Sequence, residues 1–110
     1  MIMYEDFEKV DVRVGKIVKV EDAEGLRNPS YKMVIDFGDE IGKKVSLGQY
    51  TVNYTKEELV GRFVMCVVNF EPKKIGSYIS EALTLGFEDE KGAVVLAVPD
   101  KDVPLGKRMY

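Results

Sequence analysis

Short runs of strand-forming residues, each ended by glycine or by a polar turn, dominate this chain of 110 residues. The first run covers residues 10–20, where valine occupies most even positions and polar residues occupy most odd ones. Alternation of this kind predicts a strand with one buried face, and Gly15 within it predicts a bend or a bulge. We therefore expect the even-numbered residues to point into a core and Arg13 to lie on the opposite, polar face.

The same signal recurs downstream. Tyr31, Met33, Ile35 and Phe37 alternate with Lys32, Val34 and Asp36, and the run ends at a glycine-bearing turn over residues 38–42. This pattern predicts a second strand and a hairpin. A weaker third strand follows around Val45 and Leu47. Three more strands are predicted at residues 62–70, 81–86 and 93–98, the first buried on both sides and the last two joined by a polar loop at 88–92.

One helix signal interrupts the strands. Thr55 followed by Glu58 forms a capping box, and Gly61 ends the segment. The order of three strands, a short helix and further strands is typical of the five-stranded Greek-key barrel called the OB-fold, an all-β fold that binds oligonucleotides or oligosaccharides. Other small barrels, such as the SH3 type, are also compatible with the pattern. A chain of this length predicts a single domain over residues 1–110.

Composition excludes several classes of function. The formal net charge of −3 argues against a protein that coats nucleic acid nonspecifically, although folding can still gather a local basic patch. The chain has no histidine and one cysteine, so no histidine-based catalytic set, thiolate cluster or histidine-containing zinc site can be built. We expect a binding protein with no catalytic activity and no cofactor or metal.

The apolar segments are short. The longest, residues 63–68, cannot span a bilayer, and the first residues lack the basic start of a secretory signal. We expect a cytoplasmic protein without membrane insertion.

Two segments resemble a known family. Residues 11–17 read DVRVGKI, and residues 68–86 place Asn69, Pro72, Ile75, Gly76 and Ser80 around a lysine pair. These segments are similar to motifs of the tRNA-binding domains found at the C-terminus of some methionyl-tRNA synthetases and in free-standing homologues. The resemblance covers nearly the whole chain and is greatest to the stand-alone CsaA-type proteins, which share the turn at residues 35–42.

The resemblance implies an OB-fold homodimer with one of two binding activities. The wider family binds tRNA through the barrel face, whereas CsaA-type proteins are export-related chaperones that bind unfolded preproteins and serve the export machinery. Two positions depart from the family pattern: Pro29 occupies the place of a family lysine, and Leu83 that of a family methionine. tRNA is the leading partner, and preproteins are the alternative.

The resemblance, together with residue type, selects candidate RNA-binding residues. Lys73 and Lys74 follow Pro72 in a segment expected to be a loop, where they would hold phosphates. An ion pair is as consistent with Arg13 as RNA contact, and Asn69 and Ser80 are equally suited to capping loop backbone. The full set is Arg13, Lys32, Tyr50, Asn69, Lys73, Lys74, Tyr78 and Ser80. Among the tyrosines, Tyr50 and Tyr78 have polar or glycine neighbours and suit base stacking, whereas Tyr31 suits the core.

The terminal segments, residues 1–9 and about 99–110, carry apolar residues that a monomeric barrel has little core to cover. An exposed apolar patch of this kind indicates a partner surface. We expect these extensions to form a homodimer interface through Ile2, Met3, Phe7, Val103, Leu105 and Met109.

Overall fold

The alternating segments form antiparallel strands in the structure, a computed structural model that describes residues 1–110. In chain order the elements are α1 (Tyr4–Glu8), β1 (Val12–Asp22), β2 (Tyr31–Asp36), β3 (Lys43–Gly48), α2 (Lys56–Leu59), β4 (Phe63–Val67), β5 (Lys73–Ile75), β6 (Tyr78–Ser80), β7 (Leu83–Thr84), β8 (Gly86–Glu88) and β9 (Val94–Leu96). Five strands form one sheet in the order β3-β2-β1-β4-β7. The β5–β6 and β8–β9 pairs are separate two-stranded hairpins.

The two edges of the five-stranded sheet meet and nearly close it into a barrel. Ser46 of β3 and Thr84 of β7 are fully or almost fully buried, and their hydroxyl oxygens lie 2.8 Å apart in a hydrogen bond. The backbone N–H of Glu81 donates to the carbonyl of Val45 at 2.7 Å. With α2 between β3 and β4, this arrangement confirms the expected OB-fold barrel.

The barrel interior is filled by side chains from every long strand. Ile17, Met33, Ile35, Leu59, Val64 and Cys66 are 0% exposed and Phe37 is 1% exposed. Burial of an aliphatic or aromatic side chain of this size contributes about 1.5–3 kcal/mol. The second-strand prediction is confirmed, because Tyr31, Met33 and Ile35 all face this core.

The predicted inward face of β1 is wrong around Gly15 and Ile17, although the even-numbered Val12 is buried as expected, at 4% exposed. Gly15 and Ile17, not their even-numbered neighbours, point into the barrel, because a register irregularity between Ile17 and Lys19 changes which face turns inward. Val18 is 38% exposed at this irregularity. Gly15 is therefore not the bulge. A Cβ there would lie 2.5 Å from Cγ2 of Ile35, so glycine allows the close approach of β2.

The helix prediction is confirmed by its cap. The N–H of Glu58 donates to the Thr55 hydroxyl at 3.2 Å, and the N–H of Thr55 donates to the Glu58 carboxylate at 3.0 Å. Hydrogen bonds to the Glu58 carboxylate from the Thr55 N–H and from the Thr55 side chain lower the pKa of Glu58, since they favour the ionised carboxylate. Gly61 ends the segment with a φ of +92°, a conformation that favours glycine.

Two local expectations are corrected. Residues 81–86 do not form one strand but are divided between β7 and β8, and Lys73 and Lys74 lie in strand β5 rather than in a loop. The predicted third strand is present as β3, in which Ser46 is fully buried and Val45 and Leu47 are half-buried.

The C-terminal segment is hydrogen-bonded to the first half of β1. Gly106 N–H donates to Val14 O at 2.8 Å, Val14 N–H to Lys107 O at 3.0 Å, and Met109 N–H to Val12 O at 2.8 Å. This part of β1 is not paired with β2, whose ladder begins at Lys16. The fold contains no helix of the length and hydrophobicity that a membrane span requires.

Candidate nucleic-acid interface

The β5–β6 hairpin, which carries the lysine pair, is attached to the barrel at both ends. At its turn, Gly76 has a φ of +60° and packs against Leu26. The adjacent Tyr78 hydroxyl donates to the Glu24 carbonyl at 2.9 Å. At its open end, Ser80 Oγ accepts a hydrogen bond from Leu47 N–H at 3.2 Å. The hairpin is thus held against β3 and against the loop that joins β1 to β2.

The two lysines lie on opposite faces of β5, because successive side chains of a strand alternate. Lys73 is paired across the hairpin with Ser80, and Lys74 with Ile79. Both lysines are exposed, and neither takes part in an ion pair. Their charges are therefore available to a ligand.

A groove of about 710 Å³ opens beside these lysines. It lies between residues 70–75 and residues 80–83, with Leu47 of β3 as part of its lining. We call it the hairpin groove. Phe70 lines it and is 56% exposed. Glu81 also lines it, but its carboxylate accepts a hydrogen bond from Val45 N–H at 2.9 Å.

The strand register also gathers lysines on the outer surface of β1, β2 and β3. Cross-strand partners place Lys16 and Lys43 on either side of Asp36, Lys19 opposite Val34, and Lys32 between Glu21 and Leu47. We call this surface the lysine face. Its four lysines exceed its two carboxylates in a chain whose formal net charge is −3. Lys19 forms an ion pair with Glu21 at 3.3 Å, and none of the other three lysines forms one. The sequence pattern indicated only Lys32, because the others become neighbours only through the strand register.

Arg13 is not on the polar outer surface and is occupied by internal partners. Its side chain is 17% exposed. Its Nε donates to Asp11 at 2.6 Å, and its Nη1 donates to the Gly106 carbonyl at 3.0 Å. The hydrogen bond to Asp11 raises the pKa of Arg13. The ion-pair alternative therefore describes Arg13, which fastens the C-terminal segment to β1.

Tyr50 is buried, contrary to the expectation that its ring would be exposed. It is 5% exposed, and burial raises its pKa to about 12. Its ring folds back over Gly48, where an added Cβ would lie 2.2 Å from Cε2. The ring has no free face for a base. Tyr31 lies in the core as expected, and Tyr78 is half-buried.

Asn69 and Ser80 both bind backbone groups. The Asn69 side chain accepts from Asp11 N–H at 3.0 Å and donates to Lys9 O at 2.8 Å. The Ser80 hydroxyl, besides accepting from Leu47, donates to Ala82 O at 3.3 Å. Both residues therefore shape the segments around the hairpin groove.

The residues expected at a dimer interface lie in the two terminal segments. Ile2, Met3 and Met109 are 75%, 68% and 37% exposed, respectively. Phe7, Val103 and Leu105 are half-buried. A depression lined by Phe7 and Met109 and another lined by Val103 and Met109 lie on this surface.

Comparisons with known proteins agree with this architecture. The family described as "Putative tRNA binding domain" matches residues 12–108. The structure of the CsaA chaperone protein from Picrophilus torridus is similar with a TM-score of 0.93 and 46% identity, covering 100% of both chains. That of chaperone CsaA from Bacillus anthracis has a TM-score of 0.94 and 39% identity, covering 100% of this chain and 99% of the other.

A longer enzyme carries a similar domain. The methionine–tRNA ligase of Thermococcus onnurineus is 38% identical over 109 residues, a match that covers 98% of this chain but 14% of the ligase. The chain thus spans about one seventh of the length of this curated relative. The barrel, the hairpin with its lysines and these matches together show that the chain belongs to the tRNA-binding-domain family.

Proposed function

We propose that this protein binds tRNA without catalysing a reaction, and that it contacts the phosphates through the β5–β6 hairpin and the lysine face. The observation that carries the proposal is the exposed, unpaired state of Lys73 and Lys74 beside the hairpin groove, in a chain of the tRNA-binding-domain family. Phosphate contacts of this kind position an RNA without reading its sequence. Recognition is therefore expected to depend on the shape of the RNA.

The chemistry of the side chains supports a role without catalysis. No histidine is present to transfer a proton near neutral pH. Burial raises the pKa of the Cys66 thiol to about 11, so the thiol stays protonated and is a poor nucleophile. The proposal also places the protein in the cytoplasm, where tRNA is found, as a single domain.

The experiment is a salt titration of tRNA binding. Replacing both Lys73 and Lys74 by alanine should weaken binding, and should lower the slope of log affinity against log salt by about 0.7–0.9 for each phosphate that the variant no longer neutralises. The matched control replaces Lys91 and Lys101, which are also exposed but do not line the hairpin groove. An unchanged slope in the hairpin variant would remove the hairpin from the site. Failure of the unmodified protein to bind tRNA at all would reject the function.

We also propose that two copies associate through the terminal segments. Ile2, Met3 and Met109 are exposed and would be covered by a second copy, which would also double the number of RNA contacts. Met109→Asp should place a charge in the interface and shift the mass in solution towards the monomer. Lys101→Asp, at another exposed residue of the C-terminal segment, is the control. A monomer of the unmodified protein at high concentration would exclude the dimer.

A second candidate function is a chaperone of unfolded preproteins that serves protein export. The observation that favours it is the similarity, over the full length of both chains, to a structure named as a CsaA chaperone. An unfolded, reduced and alkylated protein is a suitable probe. If it binds and the complex survives high salt, the chaperone function is supported, because hydrophobic contacts are not screened. If it does not compete with tRNA and does not bind alone, this candidate is rejected.

A further inference from the structure

We propose that the hairpin groove receives an unpaired stretch of RNA, with one base stacked on Phe70 and the flanking phosphates on Lys73 and Lys74. This inference rests on the proposed function and deepens it, because it names the part of the RNA that the groove accepts. A base that remains stacked in a duplex cannot lie on an aromatic side chain, whereas bases in loops and single-stranded ends can.

The lining of the groove suits a base. Leu47, Pro72, Ile75, Ala82 and Leu83 give the groove an apolar lining. At about 710 Å³ it is far larger than a single side chain would need. An apolar floor with a few polar groups at the rim is the usual composition of a site for a small planar group.

Phe70 is available to stack on such a group. Its side chain is 56% exposed although it is one of the largest apolar residues of the chain. It has no aromatic partner within the molecule, because Tyr4 and Phe7 form the only aromatic pair. Its backbone is held in place by its neighbours, because the Asn69 amide bridges Asp11 and Lys9. A fixed aromatic face can stack on any base, and such stacking does not depend on sequence.

The exposed cations at the rim suit an anionic chain. Two lysines and two glutamates, Glu71 and Glu81, line the groove, so their formal charges balance. Lys73 and Lys74 are exposed and have no ion-pair partner, whereas the half-buried Glu81 accepts a hydrogen bond from the Val45 N–H at 2.9 Å. The two lysines are therefore free to contact phosphates, which an uncharged polypeptide does not offer.

The test compares two exposed phenylalanines. Phe70→Ala removes the stacking face, while Phe87→Ala removes a ring that is 70% exposed on β8 and does not line the groove. The probes are a labelled oligouridine strand and a blunt RNA duplex of the same length. Loss of one stacked base should weaken oligouridine binding by roughly tenfold or more in Phe70→Ala. Phe87→Ala should leave it unchanged, and Phe70→Tyr should restore most of it. Thermal unfolding of each variant confirms that it is folded.

Several outcomes would overturn the proposal. These are equal losses in Phe70→Ala and Phe87→Ala, no loss in Phe70→Ala, or binding of the duplex but not of oligouridine by the unmodified protein. If Phe70→Ala lowers the retention of an unfolded polypeptide but not of oligouridine, the groove is a peptide site. In each of these cases tRNA binding by the unmodified protein keeps the proposed function intact. Absence of any RNA binding rejects both.

Discussion

The arginines at the terminal end of the barrel and the lysines on the β5–β6 hairpin carry the same charge but differ in what they contact. Arg13 is bound to Asp11 and Gly106, and Arg108 Nη2 donates to Glu8 O at 2.6 Å. Lys73 and Lys74 have no ion-pair partner. The fork of donors on arginine suits the backbone carbonyls and carboxylates where the two terminal segments meet. Whether a cation can bind RNA therefore depends on whether its side chain already has partners within the protein, and the number of cations alone does not show this.

The largest effect is expected from Arg13→Ala. It removes charged hydrogen bonds from a side chain that is 17% exposed, which should lower the free energy of unfolding by about 1.5–3 kcal/mol. Urea unfolding measures this loss, and tRNA affinity of the folded variant should change little. Arg13→Lys keeps the charge but not the forked set of donors, so its free energy of unfolding should lie between those of Arg13→Ala and the unmodified protein. If Arg13→Ala kept its full stability but bound tRNA more weakly, Arg13 would contact RNA rather than hold the C-terminal segment, and the contrast with the hairpin lysines would be wrong.

A smaller loss of stability is expected from Asn69→Ala. The variant leaves Asp11 N–H and Lys9 O without their partner, which should cost about 1 kcal/mol because water can reach both groups. Thermal unfolding measures it. Asn28→Ala, an exposed residue whose side chain makes no hydrogen bond, is the control and should unfold like the unmodified protein. Equal unfolding temperatures for the two variants would show that the bridge contributes nothing.

The single lysine variants sharpen the comparison within the hairpin. Both lysines line the groove, but Lys73 shares a strand face with Ser80 and Ile75, which also line it, whereas Lys74 shares the other face with Ile79, which does not. Lys73→Ala should weaken tRNA binding severalfold, and Lys74→Ala should weaken it less. Neither should change thermal stability, because neither lysine has an internal ion-pair partner. Titration calorimetry at one salt concentration separates them, and a larger effect at Lys74 would mean that the RNA approaches from the opposite face.

The smallest effect concerns an acid with internal partners. Hydrogen bonds from Asn53 and from the N–H groups of Ala93 and Lys91 lower the pKa of Asp89. A lowered folded-state pKa adds stability above the unfolded pKa, and this is lost as the pH falls through the folded value. Asp89→Ala should therefore lower the melting temperature at pH 7, and the difference should shrink in acid. Glu90→Ala, at the neighbouring exposed residue, is the control measured beside it.

Much of the fold could be predicted from local patterns. The β2–β3 hairpin follows from alternation that ends at glycines, and α2 follows from its capping box, because both signals act within a few residues. The barrel closure could not be predicted in detail. It depends on Ser46 meeting Thr84, and no pattern within either strand indicates that contact.

The candidate site was predicted in part, since the lysine pair and the groove-shaping residues stand in the family motif. The sequence favours an exposed Tyr50 because its neighbours in sequence are polar. Its burial depends on Gly48, which leaves room for the ring, and the polar pattern does not indicate that contact. The lysine face was largely missed because Lys16, Lys19 and Lys43 are separated along the chain. Phe70, between Asn69 and Pro72, lies within the family motif, but its exposure is a property of the folded hairpin.

The irregularity at Val18 changes which residues of β1 face the interior of the barrel. Before it, odd-numbered residues such as Ile17 turn inward, and after it the even-numbered Val20 does so, packing against the core opposite Met33. If β1 paired regularly through this point, strict alternation would direct Lys19 and Glu21 towards the interior of the barrel. The exposure of Lys19 on the lysine face thus depends on Val18, the one residue of β1 that has no partner at the irregularity. A regular strand with the same sequence would turn Lys19 inward and remove Val20 from the core.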